Sequence, residues 1–362
     1  MIGPADRLAA RTLELVDIHS ESLQEHAIRQ HLLGLLPPTL HPDWVGDEAA
    51  LFLPERRAGV PLVVLAGHYD TVPAQGNLPG RIADGAVHGL GASDMKGGLA
   101  VAVELVRDLA ENDQGPVDVG LLLFGREELP AEHNPLPALF AGSAAVHEAA
   151  LAILLEPTGG AIQAGCLGNV VARLTFHGTS GHSARPWLAD SAIARAVEGL
   201  TPLLAHAPRP ARVDGLEFVE VLSVTRVVAG IADNVIPGEA IATLNLRYPP
   251  DRTPDEAEAY LRALAPGTAT VEVVGNAPPG KVVTGSPLVE SLRAAGRLAV
   301  EPKQAWTNVA DFTAHGIDAV NFGPGDPDLA HRRDEHVRVS ALVHAYEVLR
   351  AFVTGSVRED TP

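Results

Sequence analysis

The clearest pattern along the chain is a set of short, almost wholly apolar runs that end in ionisable residues. PLVVLAGHYD closes on His68 and Asp70, VDVGLLLFGREE on Glu127 and Glu128, and LAILLEP on Glu156, while IDAVNFGPGD leads towards His331. Apolar runs this short predict strands buried on both faces. The stretch GLAVAVELVRDLA, which follows Asp94, reads as a helix with one buried face. The combination predicts an α/β fold with an open sheet, in which ligands gather beyond the carboxyl ends of the strands. Residues far apart in sequence can therefore meet there.

Spaced apolar positions at Leu8, Leu13, Leu15, Val16, Ile28, Leu32 and Leu33 predict two amphipathic helices over residues 5–35, with Ser20, Glu21 and Ser22 at the start of the second. Residues 73–98 are polar and irregular, and glycines at 89, 91, 97 and 98 around Asp94 allow close backbone approach. From residue 169 to 276 the pattern changes. NVVARLTFHG reads as a strand, AIARAVEGLTPLL as a helix, FVEVLSVTRVVAG and EAIATLNLRY as strands, DEAEAYLRAL as a helix, and TATVEVVG as a strand. Thr253 and Glu256 form a capping box, with Pro254 at the first helical position. This β-α-β-β-α-β order is the ferredoxin-like arrangement. Its insertion predicts a discontinuous first domain, residues 1–168 and 277–362, around an inserted domain at 169–276. The tail reads as a helix (SPLVESLRAAG), a short helix (DFTAHGI), a core strand (IDAVNFG), a closing helix (SALVHAYEVLRAFV) and a frayed end, GSVREDTP.

At 362 residues the chain exceeds the usual single-domain size, which agrees with two domains. The formal net charge of −18 argues against nucleic acid or an anionic membrane as partner, although a few arginines can still reverse the field inside a cleft. Cys166 is the only cysteine, so no intramolecular disulfide can form and a reducing compartment is the simpler reading. The N-terminal residues lack the basic and apolar segments of a signal peptide, and no apolar stretch approaches the ~20 residues of a membrane span. A cytoplasmic protein is expected. There is neither GxxxxGK[ST] nor GxGxxG with a later acidic residue, which argues against nucleotide binding.

Two histidines and several carboxylates converging at strand ends describe a zinc or dizinc hydrolase. Of two adjacent glutamates ending an apolar strand, one can bind a cation while its neighbour takes a proton from the attacking water. Each residue also has a plainer reading. His68 could be a core histidine bonded to Asp70, Asp94 a turn former or helix cap, Glu127 and Glu128 a solvated pair, and Glu156 a strand terminator. Their joint occurrence favours the metal. Between His331 and His336, both within a charged segment, the residues alone leave the ligand open.

The phrases GHYDTVP, GASDMKGG, REE, EPT and AHRRDE together resemble the M20 family of zinc aminoacylases, deacylases and carboxypeptidases, over essentially the whole chain. The resemblance implies a catalytic domain with a mixed central sheet flanked by helices, and a lid and dimerisation domain. It implies one or two Zn2+ per subunit, with Co2+ or Mn2+ as substitutes: His68 and Glu156 on one ion, Glu128 and His331 on the other, Asp94 bridging. Asp70 would orient the His68 ring, and Glu127 would be the general base. From the lid, His182 would stabilise the oxyanion in a partner's site, Asn234 would be a second such residue, and Arg247 would take a substrate carboxylate. Arg185, near His182, would serve a similar end, and Thr307, Gly323 and Gly325 would line the substrate pocket. The implied partners are a small carboxylate-bearing N-acyl amino acid and a second copy of the chain paired through the lid.

Within the family, EPTGGAIQAGCLG, GHSARPWLADSAI, AGIADNVIP and the segment from Trp306 to Glu335 are most similar to succinyl-diaminopimelate desuccinylases of the high-G+C Gram-positive type. That implies hydrolysis of N-succinyl-LL-2,6-diaminopimelate to succinate and LL-2,6-diaminopimelate. Rivals are acetylornithine deacetylase, N-acylamino-acid hydrolase and small-peptide carboxypeptidase or dipeptidase activity. A non-catalytic metal-binding relative is disfavoured by the presence of Glu127. Arg126, Leu155 and Asn308 depart from the family pattern, but none replaces a ligand or the base.

Overall fold

The apolar runs that end in Asp70 and Glu128 form the strands Leu62–His68 and Asp118–Phe124, buried at every position and paired in parallel. The structure, a computed structural model, describes residues 3–112 and 115–356; of the tail expected to fray, residues 357–362 lie outside the described residues. The chain divides into two units, one made of Met1–Ala164, Val283–Glu301 and Asp311–Pro362, the other of Gly165–Val282 and Pro302–Ala310.

The first unit is built on an eight-stranded mixed sheet. Four strands at its centre are parallel, in the spatial order Asp118–Phe124, Leu62–His68, Ala149–Leu154, Ala319–Asn321. Antiparallel strands extend both sides, with Ala49–Leu53 and His41–Val45 beyond the first and Ile162–Ala164 beyond the last. Parallel pairing aims all four carboxyl ends the same way, so the ionisable residues that follow them collect along one edge. At the opposite end of the Asp118–Phe124 strand, the buried Asp118 carboxylate is held by Arg56 and by Arg57, whose Nε is 2.6 Å away. A carboxylate with so little exposure needs such partners.

The helices Pro4–Asp17, Gly97–Asn112 and Val339–Thr354 pack on one another. Between the first two, Glu104 is buried and accepts ion pairs from Arg7 (3.1 Å) and Arg11 (2.9 Å). The second expected helix is His26–Leu35, and its N-cap is Glu25. Ser20, Glu21 and Ser22 do not start it. Glu21 instead bridges to Thr71, and the Ser22 and Thr71 amides donate to Thr71 and Ser20 carbonyls. Strand pairing outcompetes the local capping preference, and the segment is fastened to the end of the Leu62–His68 strand.

The second unit has a five-stranded antiparallel sheet in the order Arg209–Val213, Leu216–Ala229, Glu239–Tyr248, Gly168–His177, Ala269–Ala277, with helices Ala192–Leu204 and Pro254–Leu264. Alternation along two strands sends Val170, Ala172, Leu174 and Phe176, and Ala240, Ala242, Leu244 and Leu246, into one core with Ala196, Leu200 and Leu261 from the helices. The capping box forms as the sequence predicts, with Glu256 N donating to Thr253 Oγ1 (3.3 Å) and Thr253 N to Glu256 Oε2 (2.8 Å). The strand Arg209–Val213 is an addition to the sequence reading. It turns into its neighbour through Asp214 and Gly215, both at positive φ, as a two-residue hairpin requires.

Candidate metal centre

His68 is the last residue of its strand and fully buried. Its Nδ1 lies 3.1 Å from the Asp70 carbonyl oxygen and 3.4 Å from Asp70 Oδ1. Those acceptors hold a ring proton on Nδ1, and Nε2 faces Asp94 Oδ1 at 3.1 Å and Glu156 Oε1 at 3.9 Å. On the other side, His331 Nε2 stands 2.9 Å from the Glu128 carboxylate and 3.7 Å from Asp94 Oδ2. The Asp94 carboxylate thus turns one oxygen to each imidazole.

This donor set fits a divalent transition metal. Ligand atoms of His68, Asp94 and Glu128 lie within 4.8 Å of one another. Two ligands on a tetrahedral ion with bonds near 2.0–2.1 Å are separated by about 3.3 Å, and the nitrogen–oxygen distances here, 2.9 to 3.9 Å, bracket that spacing. Imidazole and carboxylate suit zinc, cobalt and manganese alike.

The electrostatics point the same way. Burial and then the negative charge of Glu156 push the Glu127 carboxyl well above its ordinary pKa. Burial likewise raises Glu128, against the His331 hydrogen bond. For His68 burial is the largest influence and opposes protonation, but Asp70 and Asp94 outweigh it and its pKa is raised. The hydrogen bond to Glu128 lifts His331 to about 9. Crowded carboxylates resist ionising together, and a dication among them would reverse that logic.

Asp70 is the organising residue of the strand ends. Fully buried, it accepts from Ser22 Oγ (2.7 Å), Glu127 N (3.1 Å) and Glu128 N (3.2 Å) while facing the His68 ring. Burial alone would raise its pKa, but His68, Ser22 and the backbone donors lower it. Arg126, which precedes the glutamate pair, has φ of 64° and an ion pair to Glu48 at 2.5 Å, and His331 has φ of 61°. Both residues stand in the left-handed region, which a side chain adopts only when its surroundings hold it there. The glycines of GPG serve backbone approach: a Cβ at Gly323 would lie 2.4 Å from the Leu155 and Glu156 carbonyl oxygens, and one at Gly325 2.3 Å from Ser93 O.

Sequence reasoning missed Ser22, whose only signal was a serine before a helix. A further residue behind the site is Glu335. That buried carboxylate accepts backbone N–H groups from the Asp94 loop; burial pushes its pKa up to about 7, although these donors oppose the rise. His336, the rival to His331, pairs instead with His88 across a short antiparallel ladder and stacks on its ring, 5.0 Å between centroids.

The remaining predicted residues belong to the second unit. His182 and Asn234 are neighbours in a two-stranded ribbon, Gly181–His182 against Val235–Ile236, with Ser183 N donating to Asn234 O (3.0 Å). Arg185 N donates to His182 O (2.8 Å). Arg247 lies on the Glu239–Tyr248 strand, its Nε bonded to Asn245 Oδ1 (3.0 Å). Thr307 and Asn308 are buried in the Pro302–Ala310 segment, and the Thr307 carbonyl faces Cys166 Sγ at 3.5 Å. Among the described residues no helix is long and apolar enough to cross a membrane.

A family model described as peptidase family M20/M25/M40 matches residues 64–355. A succinyl-diaminopimelate desuccinylase of Corynebacterium glutamicum is 36% identical over 358 residues, 95% of each chain. One from Rhodospirillum centenum is 32% identical over 320 residues, 80% of each. Among solved structures, the aminopeptidase PepT of Bacillus cereus shares the fold with a TM-score of 0.76 at 22% identity, covering 97% of this chain and 98% of that one. An M20 metallo-carboxypeptidase of Sulfolobus solfataricus aligns with a TM-score of 0.73 at 18% identity, covering 96% and 99%. The chain belongs to the M20 peptidase family and is a metal-dependent amidohydrolase.

Proposed function

We propose that the enzyme hydrolyses N-succinyl-LL-2,6-diaminopimelate to succinate and LL-2,6-diaminopimelate, in the cytoplasm. The observation that carries the reading is the likeness to the Corynebacterium desuccinylase over 95% of both chains. In this reading His68 and Glu156 would hold one zinc and Glu128 and His331 the second, with Asp94 offering a carboxylate oxygen to each. Bound there, the cations would polarise the amide carbonyl and lower the pKa of the attacking water. Glu127 takes the proton from that water as its oxygen bonds to the carbonyl carbon, then returns it to the nitrogen as the C–N bond breaks.

Residues 169–276, the larger part of the second unit, are read as a ferredoxin-like lid and dimerisation domain. The strand order Leu216–Ala229, Glu239–Tyr248, Gly168–His177, Ala269–Ala277 supports this. So does helix Ala192–Leu204, whose Ile193, Val197 and Leu204 are 44%, 62% and 69% exposed along one face. Pairing through this face would carry His182 to a partner's site. Ala184 N donates to His182 Nδ1 at 3.1 Å, which places the ring proton on Nε2, free to donate to a tetrahedral oxyanion. Arg247, Arg185, Asn234 and Thr307, with Gly323 and Gly325, are assigned to the substrate. The test is amine release from N-succinyl-LL-diaminopimelate, N-acetylornithine and a dipeptide panel, with Glu127→Ala as blank. Preference for the succinyl substrate that vanishes in the blank is expected; preference for another substrate refutes the assignment.

A further inference from the structure

Within itself the loop that carries Asp94 is closed by two i to i−5 bonds, Lys96 N to Gly91 O (2.7 Å) and Gly97 N to Ala92 O. Within the turn Ala92–Lys96 the backbone of Asp94 (φ −120°, ψ 94°) and Met95 (φ −133°, ψ 34°) is not helical, so the ordinary i to i−4 ladder is broken there. The N–H groups of Gly91, Ser93 and Asp94 all find one acceptor, the side chain of Glu335. Oε2 accepts from Gly91 N at 3.0 Å, and Oε1 from Ser93 N at 2.9 Å and Asp94 N at 3.0 Å. Glu335 is 2% exposed, so water cannot replace it.

The carboxylate reaches this loop from the segment that carries His331. Glu335 N donates to Arg332 O (3.2 Å), Gly89 N donates back to Glu335 O (3.0 Å), and Ser93 Oγ donates to Asp326 O (2.9 Å). Immediately after it, His336–Arg338 pairs with Ala86–His88. The two ligand-bearing segments, remote in sequence, are therefore laced together on both sides of His331, and the tightest point of the lacing is a single carboxylate.

We infer that Glu335 is a positioning residue: by gathering the Gly91, Ser93 and Asp94 amides it locks the Asp94 loop to the His331 segment and sets the spacing of these two side chains before any cation binds. This rests on the reading of Asp94 and His331 as ligands. A carboxylate is the right group, because both of its oxygens accept. In Glu335→Gln one of them becomes an NH2 that meets a backbone N–H donor to donor, whereas the volume is unchanged.

The test measures zinc affinity of metal-free parent and Glu335→Gln by chelator competition, the visible spectrum of each loaded with cobalt, and amide exchange of the metal-free parent. Groups that orient metal ligands are worth about 10–100-fold in affinity, and a loss in that range with an altered cobalt spectrum is expected. In the metal-free parent the Gly91, Ser93 and Asp94 amides should already be protected. A variant that binds zinc within twofold of the parent overturns the inference alone. A parent that binds no zinc overturns it together with the reading beneath it. Should the variant not fold, the parent's amides decide: protection supports the lock, and exchange at the rate of an exposed loop overturns it.

Discussion

Replacing Asp70 by Asn changes one atom in a fully buried side chain, so the consequence can be worked from its partners. Oδ1 accepts from Glu127 N and faces His68 Nδ1; Oδ2 accepts from Ser22 Oγ and Glu128 N. With the new NH2 at the Oδ1 position it would meet both Glu127 N–H and the His68 ring proton. At the Oδ2 position it meets only Glu128 N–H, because the Ser22 hydroxyl can rotate to accept. The second orientation wins and leaves one buried N–H unpaired, at about 1–3 kcal/mol, with the remaining bonds losing their charge assistance. A total of about 2–4 kcal/mol follows for the metal-free protein. The unpaired amide belongs to Glu128, and the His68 ring loses the charge that steadies its tautomer, so zinc affinity should fall by about 10–100-fold as well. Urea unfolding of the metal-free forms and chelator competition measure the two effects. An Asp70→Asn protein within about 0.5 kcal/mol of the parent, the range of ordinary surface substitutions, and with unchanged zinc affinity would refute the reasoning.

Glu127→Gln should keep its zinc content and lose about 10²–10⁴-fold in kcat, read by metal analysis beside steady-state kinetics; equal loss of zinc would make Glu127 a ligand instead. Gly323→Ala puts a methyl 2.4 Å from two carbonyl oxygens, one of them that of Glu156. Strain of about 1–3 kcal/mol is expected, visible as a lower unfolding midpoint, and an unchanged midpoint would show that the strand end yields freely. Zinc at 100 times its dissociation constant should stabilise the parent by about 2.7 kcal/mol and leave His68→Ala far less affected, as thermal unfolding with and without chelator would register. Val197→Asp places a charge on the exposed stripe of helix Ala192–Leu204 and should convert a dimer to monomers in light scattering; a monomeric parent would rule out pairing through this face.

Much of the site was legible because its parts are local. Each apolar run names its own strand, and the residue at its end inherits a position at the sheet edge, so His68, Glu127, Glu128 and Glu156 could be listed before any fold was known. The capping box at Thr253 and the helix it opens are similarly local, and they form as read. What the local pattern misjudged was decided by partners elsewhere. Ser20 to Ser22 look like a helix start, yet a strand edge and a buried carboxylate offer those groups stronger hydrogen bonds. His331 and His336 are equivalent in a charged run, and only the resemblance or the fold separates them: His336 is taken up by the ladder with His88, while His331 turns to Glu128. Glu335 gives no periodic signal at all, since its meaning lies in three amides of a loop remote from it in the chain. Periodicity and strand-end chemistry, which depend on neighbours in sequence, thus determined the layers and the candidate ligand types. The spacing of those ligands and the hydrogen bonds that hold them depend on contacts between segments far apart in the chain, and these the tertiary structure alone decided.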